Sequence, residues 1–184
     1  MDASEQVEAA FPSIDDLGDD DLRAGVVRAW TTAMAENDVD DLTAVPWLPP
    51  VQRDLGIDGE TLVGHVRTVV RGSLALADAL AETRDESVDR DLVLAGALVH
   101  DVSKLYEFDG MADTPVYDLL GHPYYGVHAV AAAGLPVELA HVVLSHTART
   151  NVEPAFVEAV VVKRADEVAA SAIRATAVDD LRDA

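Results

Sequence analysis

The chain has 184 residues and carries 34 Asp and Glu against 13 Lys and Arg, a formal net charge of −21 at pH 7. Its length corresponds to one domain and suffices for a self-supporting hydrophobic core. Because the sequence contains no cysteine, it excludes disulfides, thiolate metal sites and cysteine nucleophiles. The acidic start lacks the basic and apolar regions of a secretory signal, and no uncharged apolar run reaches membrane-spanning length. We therefore expect a cytoplasmic protein without a membrane partner.

The cations are almost all arginine, since Lys104 and Lys163 are the only lysines. The acids are spread along a chain that is 49% hydrophobic, so we expect them to coat a folded body rather than form a disordered tail. Self-repulsion would destabilise such a body in dilute buffer, whereas at molar salt a Debye length of about 3 Å screens it. The composition therefore favours a halophilic protein, from an organism with high internal salt, over an ordinary acidic protein.

The first two-thirds of the chain shows helical periodicity interrupted by proline. Apolar residues recur with helical spacing over 19–36 and again over about 59–83, where the buried stripe includes His65. The stretch 44–50 contains three prolines, and we expect it to be a connecting loop.

The remaining segments also favour helices. The apolar segment 91–100 is predicted as a buried helix, although its periodicity alone also fits a buried strand. Three further helices, each opened by a proline, are predicted over 123–133, 136–147 and 154–177. The mixed stretch 107–120 is expected to be a surface loop.

No repeat, low-complexity tract or linker divides the chain. The sequence therefore predicts an all-α bundle of about six or more helices in a single domain over 1–184. Within it we expect an N-terminal helical extension and loop over 1–58 and a helical core over 59–177.

Histidines and carboxylates on buried positions are the main indication of chemistry. Four of the six histidines fall where a helical face or helix end points inward, namely His65, His100, His122 and His146. His128 and His141 lie off these stripes and are expected at the surface or behind the site. Asp101 follows His100, and Asp166 lies on the inward stripe of the last helix. A buried carboxylate needs a compensating partner, which a divalent cation or a hydrogen-bonded network could supply.

The order of these residues resembles that of a known family. His65, the segment Leu98-Val99-His100-Asp101-Val102-Ser103-Lys104 and Asp166 resemble the H…HD…D motif of the HD superfamily of metal-dependent phosphohydrolases. The resemblance covers about 60–175. Gly121-His122-Pro123 and Leu144-Ser145-His146 are similar to the subset with extra histidines between the HD pair and the last Asp.

This chain departs from the family pattern at three points. Ser103 replaces a small glycine before the lysine, a change that should be tolerated. Thr147 stands where the extra-histidine subset often has a second adjacent histidine. The glycine-rich GYP signature is absent, which argues against hydrolysis of cyclic di-GMP.

The resemblance implies an HD-domain fold and a metal-dependent phosphohydrolase acting on a nucleotide or another small phosphate ester or phosphodiester. The implied ligands of a first metal ion are His65, His100, Asp101 and Asp166. If a second ion binds, Asp101 would bridge, with His122 and His146 as the other ligands. The ions could be Mn, Fe, Co, Ni, Zn or Mg, and they would activate a water for attack.

Two basic residues are candidates for holding the substrate. Lys104, one turn beyond the HD pair, is expected to neutralise phosphoryl charge, with Asp101 positioning metal and water as the other catalytic residue. Arg149 is expected to contact a substrate phosphate. The structural alternatives are an ion pair for Lys104, a helix cap for His122 and a core histidine for His146.

Other functions stay open at this point. A protonated His122 or His146 could act as general acid if no second ion binds. A di-iron oxygenase with the HD fold and a non-catalytic nucleotide-binding HD domain are the alternatives to hydrolysis. Basic patches suited to duplex nucleic acid are absent, so a small phosphorylated partner is favoured, and a homodimer remains open.

Overall fold

The computed structural model describes residues 2–84 and 88–183, and its regular secondary structure is helical apart from one short pair of strands. The helices are α1 (Ala3–Ala10), α2 (Asp20–Glu36), α3 (Pro49–Leu55), α4 (Leu62–Thr83), α5 (Arg90–Val99), α6 (Lys104–Glu107), α7 (Pro115–Leu119), α8 (His122–Ala132), α9 (Val137–Ser145) and α10 (Val157–Arg174). Strands β1 (Phe108–Asp109) and β2 (Ala112–Asp113) form one short antiparallel pair. The predicted all-α class is confirmed. Within 2–84 and 88–183, no helix combines the length and the apolar character needed to cross a bilayer.

Helix α5 occupies the centre of the bundle. All its residues from Val93 to Val99 are buried, and α2, α4, α9 and α10 pack around it. A helix that is apolar on every side must lie in the interior, which explains why its periodicity is weak. Its start is capped by Asp89, whose side chain accepts a hydrogen bond from the backbone N–H of Leu92 at 3.0 Å. The end of α5 therefore delivers the residues that follow it to the middle of the protein.

The N-terminal helices pack onto the same core. The indole of Trp30 in α2 is fully buried, and its Nε1 donates a hydrogen bond to the carbonyl of Leu98 at 3.0 Å. The ring of Phe11 lies 4.9 Å from that of Trp30. The hydrogen bond from Trp30 to Leu98 connects the N-terminal extension to the last turn of α5, two residues before the HD pair.

Two of the predicted elements differ from the structure near prolines. Pro49 and Pro50 form the first turn of α3, so the predicted loop over 44–50 is wrong at its end. A first helical turn accepts proline because the missing N–H would have no intrahelical partner there. Conversely, Pro154 precedes α10 by three residues, and that helix ends at Arg174 rather than at 177.

The prediction of a surface loop over 107–120 is wrong in two respects. The stretch contains the β1–β2 pair and helix α7, which begins at Pro115 with Thr114 as its cap. Its first residue, Glu107, is fully buried. Local composition did not indicate this burial, because the partners of Glu107 lie 15 and 42 residues away.

Candidate metal centre

Five helices converge on one buried cluster. His65 lies in the first turn of α4, whose start is capped by the hydroxyl of Thr61. His100 and Asp101 follow α5, and Asp166 lies in the middle of α10. His122 begins α8 and His146 directly follows α9. The structure therefore brings together all six residues that the sequence indicated as metal ligands.

The six residues divide into two sets of three. His65, His100 and Asp166 form one set, and Asp101, His122 and His146 form the other. Within each set, the potential ligand atoms lie within 4.8 Å of one another. The exposed fraction of the side chains is at most 6% except for Asp166, which reaches 17%. Asp166 thus marks the side on which the cluster meets solvent.

Asp101 joins the two sets through its two oxygens. Its Oδ2 lies 3.4 Å from Nε2 of His65 and 3.3 Å from Nε2 of His100. Its Oδ1 lies 3.5 Å from Nε2 of His122 and 3.7 Å from Nε2 of His146. Asp101 therefore presents one carboxylate oxygen to each ligand set.

The donor atoms fit a divalent cation. Nε2 of His65 and Nε2 of His100 are buried and face carboxylates without hydrogen-bond geometry. Buried polar nitrogens normally have a partner, and imidazole with carboxylate is a donor set that Mn, Fe, Co, Ni and Zn accept. The cluster could therefore hold a divalent metal ion.

Burial and opposite charges act against each other on the pKa values of the cluster. Burial acts to lower the pKa of His65, but the carboxylates of Asp101 and Asp166 outweigh it and shift the pKa upward. Burial acts to raise the pKa of Asp166, but the imidazoles, His65 above all, lower it to about 2. The pKa of Asp101 is likewise held well below its usual range, against burial, by Lys104 and the histidines. The carboxylates are therefore ionised at neutral pH.

Lys104 lies inside the cluster rather than at the surface. Its Nζ is 2.7 Å from Oδ2 of Asp101, and only 6% of its side chain is exposed. The ring centroid of Trp47 lies 5.7 Å from Nζ of Lys104 and 5.4 Å from the ring centroid of His65. The guanidinium carbon of Arg174 lies 5.4 Å from the centroid of the same indole ring. Trp47 comes from the loop before α3 and was not identified from the sequence.

The other predicted basic residue, Arg149, is engaged with protein groups. Its Nη1 lies 3.1 Å from Oε1 of Glu107, and its guanidinium stacks on Tyr117 at 4.8 Å. Its side chain is 39% exposed. Glu107 also contacts His122. Sequence reasoning missed Glu107, although its position three residues after Lys104 and six after Asp101 was an available signal.

Ser103 and the two remaining histidines have structural contacts. The hydroxyl of Ser103, where the family has glycine, donates a hydrogen bond to the carbonyl of His122 at 2.7 Å. His141 is half-buried, and its Nε2 accepts a hydrogen bond from the backbone N–H of Ala155. His128 is exposed. Neither of these histidines belongs to the two ligand sets.

An all-α bundle with an HD pair at the centre of a buried His and Asp cluster defines the class of HD-domain proteins. A family model described as "HD domain" matches residues 62–171. The chain belongs to the HD domain family, a family of metal-dependent hydrolases. The predicted superfamily is thereby confirmed.

The chain is also similar to a protein of known activity. Over 113 residues the chain is 36% identical to a dihydroneopterin 2′,3′-cyclic phosphate phosphodiesterase from Methanocaldococcus jannaschii. The alignment covers 58% of this chain and 45% of that protein, so the chain spans less than half of its relative's length. No solved structure matches the chain.

Proposed function

We propose that this protein is a metal-dependent phosphodiesterase that hydrolyses a small cyclic phosphodiester. The observation that carries the proposal is the division of the two Asp101 oxygens between the two ligand sets. The similarity to an HD-domain phosphodiesterase supports the same reaction class. The proposal goes beyond family membership by assigning the reaction to these residues.

We assign His65, His100, Asp101 and Asp166 to a first divalent ion. A second ion would be held by Asp101, His122 and His146, which corresponds to the extra-histidine subset. Divalent ions supply an activated water and polarise a phosphoryl oxygen when bound. Mn, Fe, Co, Ni and Zn all suit this ligand set, and Mg suits it less because it prefers oxygen ligands.

We assign to Lys104 the role of neutralising the negative charge of the phosphoryl group with a side chain of the protein. The transition state of phosphodiester hydrolysis carries negative charge on the phosphoryl oxygens, which a buried ammonium group stabilises strongly. The ion pair with Asp101 holds the ammonium group of Lys104 next to the ligand cluster. Because Asp166 is the most exposed ligand, we infer that substrate approaches from its side.

The substrate class follows from the relative by analogy. The relative's name specifies a 2′,3′-cyclic phosphate, a strained five-membered phosphodiester carried on vicinal hydroxyls. We propose a cyclic phosphate of this type for the present chain, with a nucleotide as the alternative carrier. Arg149, whose side chain is 39% exposed, remains a candidate substrate contact.

Metal removal and replacement test the reaction. Protein stripped with a chelator should hydrolyse neither a 2′,3′-cyclic nucleotide nor bis(p-nitrophenyl) phosphate, and one of Mn²⁺, Fe²⁺, Co²⁺, Ni²⁺ or Zn²⁺ should restore hydrolysis. Asp101→Asn should abolish it, whereas Asp78→Asn, which breaks an exposed ion pair with Arg90, should not. Failure of every metal with every phosphodiester would overturn the proposal.

The same preparation discriminates the alternative functions. Bound iron with O₂ consumption and no phosphodiesterase activity would indicate a di-iron oxygenase. A ligand-dependent rise in Tm without turnover would indicate a nucleotide-binding domain. Assays at low and high salt are needed because the composition supports a protein adapted to concentrated salt.

A further inference from the structure

Glu107 is a fully buried carboxylate that the proposed chemistry does not use directly. Its Oε1 accepts hydrogen bonds from the backbone N–H of His122 at 2.5 Å and from Nη1 of Arg149 at 3.1 Å. Its Oε2 lies 3.1 Å from Nδ1 of His122. A buried carboxylate is costly unless it is paired and hydrogen-bonded. All of its identified contacts converge on His122 and on the arginine beside it.

The contact at Nδ1 determines which nitrogen of His122 carries the proton. A carboxylate only accepts hydrogen bonds, so Nδ1 must donate and the neutral ring leaves Nε2 unprotonated. Nε2 faces Oδ1 of Asp101 at 3.5 Å and Nε2 of His146 at 3.3 Å. Glu107 therefore presents the lone pair of His122 to the centre of the second ligand set.

Glu107 differs from the corresponding partners of His100 and His146. Nδ1 of His100 faces the carbonyl of Ala97 at 2.7 Å, and Nδ1 of His146 faces the carbonyl of Val143 at 2.6 Å. Those partners are neutral groups of the preceding helical turn. His122 begins its helix and has no preceding turn, so a side chain from α6 has to supply the acceptor.

We propose that Glu107 is the positioning residue of the second metal site, and that Arg149 acts through Glu107. Glu107 holds His122 with Nε2 free for a cation, and Arg149, stacked on Tyr117, holds the carboxylate. The proposal rests on the second ion of the proposed function. It assigns roles to two side chains outside the ligand sets.

The Glu107→Gln substitution reverses the donor and acceptor roles at Nδ1 of His122 while keeping the size of the side chain. One amide oxygen can accept from the backbone N–H of His122 and from Arg149, which leaves the amide NH₂ against Nδ1. The NH₂ group only donates, so Nδ1 must accept and the ring proton moves to Nε2. That proton then competes with a metal ion for the same lone pair.

The tautomer can be read directly in the protein without added metal. Long-range ¹H–¹⁵N spectra at pH about 8, where histidine is neutral, should give the Nδ1–H form of His122 in the wild type. Glu107→Gln should shift His122 to the Nε2–H form. Glu153→Gln, which removes a carboxylate paired with Lys163 at 3.1 Å, should leave the His122 signals unchanged. Because the wild-type spectrum is informative alone, the test does not depend on folding of the variant.

Metal binding provides the second measurement. In Mn²⁺ titrations, Glu107→Gln should weaken the second binding event roughly 10- to 100-fold, the usual effect of losing such a partner. The first event should remain. Arg149→Met should weaken the second event in the same direction. A rise in KM for Arg149→Met with unchanged metal binding would instead make Arg149 a substrate contact.

The outcomes separate this proposal from the proposed function. An Nε2–H tautomer in the wild type, or equal tautomer and Mn²⁺ affinity in wild type and Glu107→Gln, would overturn the role of Glu107. A single Mn²⁺ ion per wild-type chain would overturn it together with the second site. Two ions with the expected loss in Glu107→Gln, but no hydrolysis of any phosphodiester, would overturn the reaction and leave the role of Glu107 standing.

Discussion

Nζ of Lys104 lies 2.7 Å from Oδ2 of Asp101, one helical turn earlier in the chain. This ion pair is buried, and so is the other lysine of the protein, Lys163. The cationic side chains at the surface are therefore arginines, while the two lysines serve as compact charges in the interior. Lys163 pairs with Glu153. The two ion pairs differ in their acidic partner, because Asp101 is buried whereas Glu153 is exposed.

Replacement of Lys104 by methionine should destabilise the protein in the absence of divalent metal. Breaking a buried ion pair costs about 3–5 kcal/mol when the remaining charge loses its partner, and here the Asp101 carboxylate would keep only the neighbouring imidazoles. Urea unfolding in EDTA measures this change, and excess Mn²⁺ should restore most of the loss. Lys163→Met is the control, since it leaves Glu153 in water. Equal stability of both variants in EDTA would contradict the importance of the Asp101 contact.

Asp101→Asn and Asp166→Asn should differ in the number of ions they lose. Asp166 belongs to one ligand set, whereas Asp101 contacts both. We therefore expect Asp166→Asn to retain one ion and Asp101→Asn to bind neither tightly. Equilibrium dialysis with elemental analysis counts the ions. Identical stoichiometry in the two variants would argue against a bridging Asp101.

Metal affinity should increase with pH around neutrality. The raised pKa of His65 means that its ring binds a proton more tightly in the folded protein than in the unfolded chain. That proton stabilises the fold below the unfolded pKa of about 6.5, and this stabilisation is lost as pH rises through the folded value. A cation requires the neutral ring, so binding should release a proton from His65 at pH values below its raised pKa. Calorimetry in buffers of different ionisation enthalpy measures the release, and a pH-independent affinity would refute it.

Ser103→Ala should weaken the connection between the HD pair and His122. The buried carbonyl of His122 would lose its 2.7 Å hydrogen bond, at a cost of about 1–3 kcal/mol. The change in unfolding free energy should appear in urea titrations. Ser171→Ala, which removes a solvent-exposed hydrogen bond from a serine to its own helix, should cost less than Ser103→Ala.

Salt should stabilise this protein. With a net charge of −21, self-repulsion opposes compaction in dilute buffer, and added salt screens it. We expect Tm to rise between about 0.1 M and about 2 M KCl. Comparison of KCl with sucrose separates screening from general exclusion effects. A Tm that is flat or falls over this range would count against adaptation to high salt.

Sequence alone determined the helical class and the candidate ligands. Apolar spacing places His65 and Asp166 on buried faces of α4 and α10, because helical periodicity is a local property of the chain. Element ends were less accurate, since Pro49 and Pro50 can open a helix as readily as they can belong to a loop.

Only the tertiary structure decided which charged groups surround the ligands. Glu107 and Trp47 lie in segments without periodicity, and their burial depends on contacts with residues far along the chain. Arg149 reaches Glu107 across 42 residues. Burial of a carboxylate is costly unless such partners lie close to it in the fold. Local sequence patterns do not show which distant residues will lie there. The sequence thus indicated the residues that could bind metal, and the fold determined how they are held.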